Sequence, residues 1–183
     1  MHDLHVAVRH SEHVVNSMRS LAATKVIRQH GCDINKSIER SLLLLESPLK
    51  NVELTLELNE LLPIWGNIGE FTQVWSNIVK NAIDSMSGKE RKDSKLLIRS
   101  EMADDGIKVI IRDSGPGIPD NLIDKIFEPY ITTKKEGESF GLGLGLSIVK
   151  KVINRYSGNI FVNSSEEGTE FIVFIPLGGT TNE

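Results

Sequence analysis

The chain has 183 residues, 39% hydrophobic and 25% charged, with a formal net charge of −4; this suits one globular domain plus an extra segment, and charge points to neither nucleic acid nor a membrane surface as partner. Its single cysteine, Cys32, excludes an internal disulfide, and His30-Gly31-Cys32 lacks the further ligands a metal site needs. No run approaches the roughly 20 apolar residues of a membrane span and the start lacks the apolar core of a signal peptide, so the segment is expected in the cytoplasm, even if a longer parent were membrane-anchored.

From Leu4 to Val26 there is no proline or glycine, and Leu4, Val8, Val15, Met18 and Ala22 follow a heptad-like seam. The spacing predicts a helix with one apolar stripe, which either the rest of the chain or a second copy must cover. Gly31 ends it, so the chain divides near residue 30. Asp33 or Asn35 can then cap a helix through "INKSIERSLLLLES" that stops at Pro48. In "NVELTLEL", Val52, Leu54, Leu56 and Leu58 alternate as in a half-buried strand.

Phe71, Val74, Ile78, Ala82 and Met86 give "IGEFTQVWSNIVKNAIDSM" a helical period. "KLLIRSEM" and "IKVIIRD" flank Asp104-Asp105-Gly106 as a hairpin, and "NLIDKIFE" reads as a short helix. "TTKKEGES" has nothing apolar to bury and reads as a mobile loop. "SFGLGLGLSIV" leads into a helix to about Tyr156, and a last hairpin, "NIFVNS" and "TEFIVFIPL", turns at Glu166-Glu167-Gly168. Interleaved helices and hairpins argue for a two-layer α/β sandwich with a mixed or mainly antiparallel sheet.

Four short motifs carry chemistry. Asn77 and Asn81, four apart, lie on one helix face, where their amide oxygens can share a target; two solvated amides are the plainer reading. Asp113-Ser114-Gly115-Pro116-Gly117 places a carboxylate at a strand end before glycines that permit close backbone approach, though it reads equally as a turn. Phe127-Glu128-Pro129-Tyr130 by itself ends a helix. Gly141, Gly143 and Gly145 precede or open a helix that each of them weakens.

In this order and at these intervals, the motifs resemble the N, G1, F and G2 boxes of bacterial sensor histidine kinases. That family belongs to the wider group containing type II topoisomerases, mismatch-repair MutL proteins and ninety-kilodalton heat-shock chaperones. The wording "NIVKNAIDSM" and "IFEPYITTK" looks most like the nitrogen-regulation subfamily. The resemblance covers about residues 33 to 177 and implies the Bergerat ATP-binding fold: a mixed sheet covered on one face by three helices, here preceded by an N-terminal helix. It divides the chain into residues 1–30, part of a dimerisation helix, and residues 31–183, an ATP-binding catalytic domain.

The resemblance also implies roles. Asp113 would accept from the adenine amino group, selecting ATP over GTP, and Thr169, in "EGTEF", would join that contact directly or through water. Asn81 would give a neutral oxygen to Mg²⁺, and Asn77 would sit one turn earlier, near the phosphates. Lys80 and Lys134 are the phosphate cations implied, with surface lysines the plainer reading. Gly115, Gly117, Ile118, Phe127, Thr132, Thr133, Gly141, Leu142, Gly143, Leu144, Gly145 and Leu146 complete the expected nucleotide-binding set. The glycines would clear side chains from backbone N–H groups that meet a triphosphate, Leu144 and Leu146 would anchor the turn in the core, and "TTKKEGES" would order over ATP. Many relatives carry a small hydroxyl residue where this chain has Leu142, so one phosphate contact is expected to be lost.

At the position of Asn77, hydrolytic members of the wider group usually carry a glutamate that activates water. An asparagine cannot be a general base, which favours phosphoryl transfer to a protein side chain over hydrolysis, with positioning and Mg²⁺ as the means. The family's acceptor histidine box is not evident. "SEHVVNSMRSLA" resembles the second helix of the dimerisation hairpin, with the first helix and its acceptor absent; His2, His5, His10 and His13 read as tag or surface residues. A piece trimmed from a longer kinase is preferred to a natural protein that phosphorylates nothing in cis. The expected function is transfer of the γ-phosphate of Mg-ATP to a histidine and on to a response-regulator receiver domain, in a parent that dimerises through the N-terminal helix; the isolated chain is not expected to autophosphorylate. A non-catalytic ATP-binding scaffold and a serine kinase resembling the anti-sigma-factor kinases are the alternatives.

Overall fold

A computed structural model describes residues 31–88, 90, 93–131 and 143–178. The expected helix over residues 4–26 lies outside this range, as do Thr132, Thr133, Lys134, Gly141 and Leu142.

Helix α1 (Ile34–Leu44) starts at Asp33, whose extended backbone lets its carboxylate accept from the Lys36 amide at 3.1 Å. Its inward face is Ile34, Ser37, Ile38 and Ser41, the two serines donating back to the carbonyls of Ile34 and Ile38. The expected run to Pro48 is interrupted. Leu45 leaves the helix, and one new turn, α2 (Glu46–Leu49), carries Pro48 within it. In a continuous helix the proline ring would strike the Leu44 carbonyl; in a first turn its missing N–H costs nothing.

Strand β1 (Glu53–Leu58) lies at the sheet edge, parallel to β2 (Lys95–Ala103), with Glu53 opposite Lys95. Because it is an edge strand its alternation is only partly used: Val52 and Leu54 pack inward, whereas Leu56 is exposed. β2 turns through Asp104-Asp105 into β3 (Gly106–Asp113), and β5 (Gly168–Pro176) is inserted between β3 and β4 (Asn159–Ser165). The order is thus β1-β2-β3-β5-β4, parallel only at β1–β2. "NLIDKIFE" is helical only in its first residues, within α4 (Asp120–Ile123), and continues as turns.

One face of the sheet is apolar: Leu96 and Ile98 of β2, Ile107, Val109 and Ile111 of β3, Phe171, Val173 and Ile175 of β5. Against it lie α3 (Ile68–Ser85), through Phe71, Val74, Trp75, Ile78, Val79 and Ala82, and α5 (Gly145–Arg155), through Ile148, Val149, Val152 and Ile153. α1 packs on α3, where the Trp75 indole N–H donates to Ser37 Oγ at 2.7 Å. Three long helices therefore cover one face. The other carries charge pairs such as Arg99–Glu57 at 2.5 Å and Lys108–Glu101, with Phe161 exposed among them.

Candidate functional site

The helix-facing side of the sheet turns polar at one end. The β3–β5 register sets Asp113 opposite Thr169, and the β4–β5 register sets Ser164 beside Thr169, so three polar residues form a row across three strands. Asp113 and Thr169 are 4% and 5% exposed, too buried for ordinary surface residues. Thr169 Oγ1 and Ser164 Oγ lie 3.2 Å apart, and Ser164 Oγ accepts from the Ile118 amide at 2.8 Å, pinning the loop that follows Asp113.

That loop needs its glycines. The Gly115 amide donates to Asp113 Oδ1 at 2.8 Å, and a Cβ on Gly115 would lie 2.7 Å from the same oxygen. Gly117 has φ +76° and faces the Ser165 carbonyl so closely that a side chain would overlap it. Ser114 ties the turn to the start of β2, donating to the Asp93 carbonyl at 2.7 Å and accepting from the Lys95 amide at 2.9 Å.

Helix α3 runs past this row. Asn67 caps it, its side-chain oxygen accepting from the amides of Gly69 and Glu70. Asn77, Asn81 and Ser85, spaced four apart, share a face. At one end Ser85 Oγ lies 3.4 Å from Asp113 Oδ1. At the other, Asn77 Oδ1 is 3.6 Å from where a Cβ of Gly145 would stand, at the start of α5. The stripe therefore joins the buried carboxylate to a helix N-terminus across eight residues, roughly 12 Å. Asn77 is 7% exposed and its Nδ2 finds no hydrogen-bond partner among the described residues. Such an orphaned buried donor is costly unless a ligand satisfies it.

Leu144 precedes α5 without giving it a side-chain cap, which leaves the first N–H groups of the helix without a side-chain acceptor of that kind and favours an anion there. Leu144 is buried and Leu146 packs on the core, as expected. Gly143 has a backbone reason of its own. Its φ is +64°, and a Cβ would meet the Tyr130 and Ile131 backbone at 2.5 to 2.7 Å, while its carbonyl accepts from the Tyr130 amide at 2.9 Å. Gly143 joins the chain after Phe127 to the start of α5, whereas Gly145 borders Asn77.

Phe127 packs on the core with the Lys150 ammonium 5.8 Å from its ring centroid. Lys80 lies beside the asparagine stripe, with its ammonium 3.8 Å from Asp84 Oδ2. Among the described residues no group of three or more His, Cys, Asp or Glu side chains could hold a metal. Sequence reasoning missed Ser85 and Ser164; the only available signal was that Ser85 continues the i, i+4 series of Asn77 and Asn81.

A mixed sheet under three helices, with a buried carboxylate at the strand ends and, across from it, a helix N-terminus that Leu144 leaves without a side-chain cap, is an α/β sandwich with the makings of a nucleotide site. Residues 66–179 match the family of histidine kinase-, DNA gyrase B- and HSP90-like ATPases, and the chain belongs to it. It is 30% identical over 174 residues to the sensor histidine kinase ZraS of Escherichia coli K12, covering 93% of this chain and 36% of that protein. It is 28% identical over 179 residues to the sensory histidine kinase/phosphatase NtrB of Rhizobium leguminosarum bv. phaseoli, covering 89% and 45%. The chain thus spans less than half the length of these relatives. Among solved structures, the catalytic domain of histidine kinase ThkA is 33% identical with a TM-score of 0.70, covering 82% of this chain and 97% of that one. ThkA in complex with the response regulator protein TrrA is 27% identical with a TM-score of 0.71, covering 94% and 49%. No helix among the described residues is long and apolar enough to cross a membrane.

Proposed function

We propose that this chain is the ATP-binding catalytic part of a sensor histidine kinase, residues 31–183 forming the catalytic domain and residues 1–30 part of a dimerisation helix. The observation that carries the reading is the α3 stripe. Its Asn77 end holds an unpartnered buried amide beside the start of α5, and its other end touches Asp113. A nucleoside triphosphate is the ligand class that needs both a buried acceptor for a base amino group and an anion-binding helix end about that far apart.

Asp113 and Thr169 then read the base, Gly145 and Leu146 offer backbone N–H groups to phosphate, and Asn77 supplies its orphaned N–H. Asn81 would hold Mg²⁺ together with phosphate oxygens, an ion that keeps several waters and needs few protein ligands. When bound, the ion would neutralise charge that develops on the transferred phosphoryl group. Lys80, once turned from Asp84, and Lys134 are the cations proposed to assist. With an amide rather than a carboxylate at position 77, the domain lacks a base there to activate water. Its proposed work is to position the γ-phosphate for a histidine brought in by the dimerisation hairpin of a homodimeric, cytoplasmic kinase module. The ThkA–TrrA complex supports a response-regulator receiver domain as the next acceptor.

Incubation with labelled ATP, Mg²⁺ and a separate dimerisation hairpin from a relative tests the reading. The expected product is label on the hairpin that is lost in acid and kept in base. Acid-stable label would favour a serine kinase, and ATP binding without transfer to any of several hairpins would favour a scaffold module.

A further inference from the structure

Ser85 has no place in the binding set expected from the sequence, yet it is the helix residue that meets the buried carboxylate. It is the last residue of α3. Its hydroxyl lies 2.8 Å from the Ala82 carbonyl and 3.4 Å from Asp113 Oδ1, so its single proton is shared between a strong acceptor contact and a longer one. The Gly115 amide approaches the same Oδ1 at 2.8 Å. The three groups are packed without slack, because a Cβ on Gly115 would overlap Ser85 Oγ and Ser85 Cβ would stand 3.1 Å from it.

We propose that Ser85 is a positioning residue for base recognition: its hydroxyl and the Gly115 amide grip Oδ1 of Asp113 from two sides and fix the plane of the carboxylate, so that a base amino group meets an acceptor of set direction. A carboxylate at the end of a strand has one torsion free to turn about its Cβ–Cγ bond. The Gly115 amide acts on it from the loop itself, and a donor from a different element restrains the same torsion from the helix side. Ser85 belongs to the helix that carries Asn77 and Asn81, so it also ties the direction of the base contact to the element that would border the phosphates.

The proposal rests on the reading of Asp113 as the base acceptor, and the experiment separates the two. Dissociation constants for ATP and for inosine triphosphate, which has a carbonyl in place of the amino group, are measured by competition against a fluorescent nucleotide for the full chain, Ser85→Ala and Asp113→Asn. Ser85→Ala is expected to weaken ATP about three- to tenfold, the loss of one modest hydrogen bond, and to leave inosine triphosphate unchanged, narrowing the preference between them. Equal weakening of both nucleotides would mean a merely structural role and would overturn the proposal. So would unchanged ATP affinity in Ser85→Ala beside a large loss in Asp113→Asn, with the base assignment left intact. Unchanged ATP affinity in Asp113→Asn would remove the base assignment and the role of Ser85 together.

Discussion

The Tyr156 hydroxyl donates to Glu70 Oε2 at 2.6 Å, joining residues 86 apart in the chain. The same oxygen of Tyr156 accepts from the Asn67 amide at 3.0 Å, Arg155 pairs with the other oxygen of Glu70, and the tyrosine ring lies 4.7 Å from that of Phe71. Gly66 passes so close that a Cβ would meet Phe71 at 2.6 Å and Tyr156 at 3.4 Å. This closure binds the N-terminal end of α3 to the C-terminal end of α5. Asn77 lies in the middle of α3 and Gly145 at the other end of α5, so the closure holds the geometry of the candidate phosphate end from a distance.

Removing the hydroxyl in Tyr156→Phe strands a half-buried Glu70 oxygen and the Asn67 amide, and is expected to cost about 1–3 kcal/mol in urea denaturation. Burial first, then the bond to Glu70, raises the pKa of this phenol. In the unfolded chain the group ionises near pH 10. The stabilisation is therefore complete below about pH 10 and is lost as pH rises through the raised folded value. The unmodified chain should lose stability between neutral and strongly alkaline pH more steeply than Tyr156→Phe; parallel pH profiles would mean that Tyr156 does not titrate as the structure requires.

Cys32 is 4% exposed and pairs its backbone with Ile64. Burial, with Asp33 adding to it, pushes its thiol up to about 11. Since the thiolate is the reactive form, modification by a disulfide reagent at pH 8 should run about two orders of magnitude slower in the folded chain than in urea. Fast modification of the folded protein, timed by absorbance, would place the thiol elsewhere.

Asp113→Asn should remove ATP binding measured by calorimetry, because an amide can turn its N–H₂ toward the base amino group, donor against donor. Asn81→Ala should abolish the magnesium dependence of ATP binding while preserving the fold, since Asn81 lies outside the buried core. An unchanged magnesium titration would mean that the metal is held elsewhere.

Much of this was legible in the sequence because the relevant signals are local. The period of Phe71, Val74, Ile78 and Ala82 gave α3, and Asp104-Asp105-Gly106 and Glu166-Glu167-Gly168 gave the two hairpins. The break at Leu45 was less visible, because a proline forbids the helix one turn before itself while still permitting a new first turn. The exposure of Leu56 was invisible, since alternation cannot tell an edge strand from a central one. Asp113 was found from its neighbouring glycines, but Ser85, Ser164 and the Glu70–Tyr156 closure depend on contacts between distant segments that no periodicity encodes.

Two neighbouring glycines separate a folding requirement from a binding one. Gly143 sits at positive φ against the Ile131 backbone, so Gly143→Ala is strained whatever ligand is present and should cost about 1–3 kcal/mol in thermal or urea unfolding. Gly145 has helical backbone, and an added methyl group would make only ordinary contact, 3.6 Å from Asn77 Oδ1. Alanine is the better helix former, by about 0.8–1 kcal/mol in a helix interior and less at a first position such as this, so Gly145→Ala should leave the domain as stable as before or more so. The same methyl group would stand beside the orphaned Asn77 amide, in the space proposed for phosphate, so ATP affinity measured by calorimetry should fall by at least about tenfold, roughly the 1.4 kcal/mol of one obstructed charge-assisted hydrogen bond. A Gly145→Ala chain that is more stable and binds ATP as tightly as before would move the triphosphate away from the start of α5, and with it the reading of the glycine-leucine repeat as a phosphate cradle.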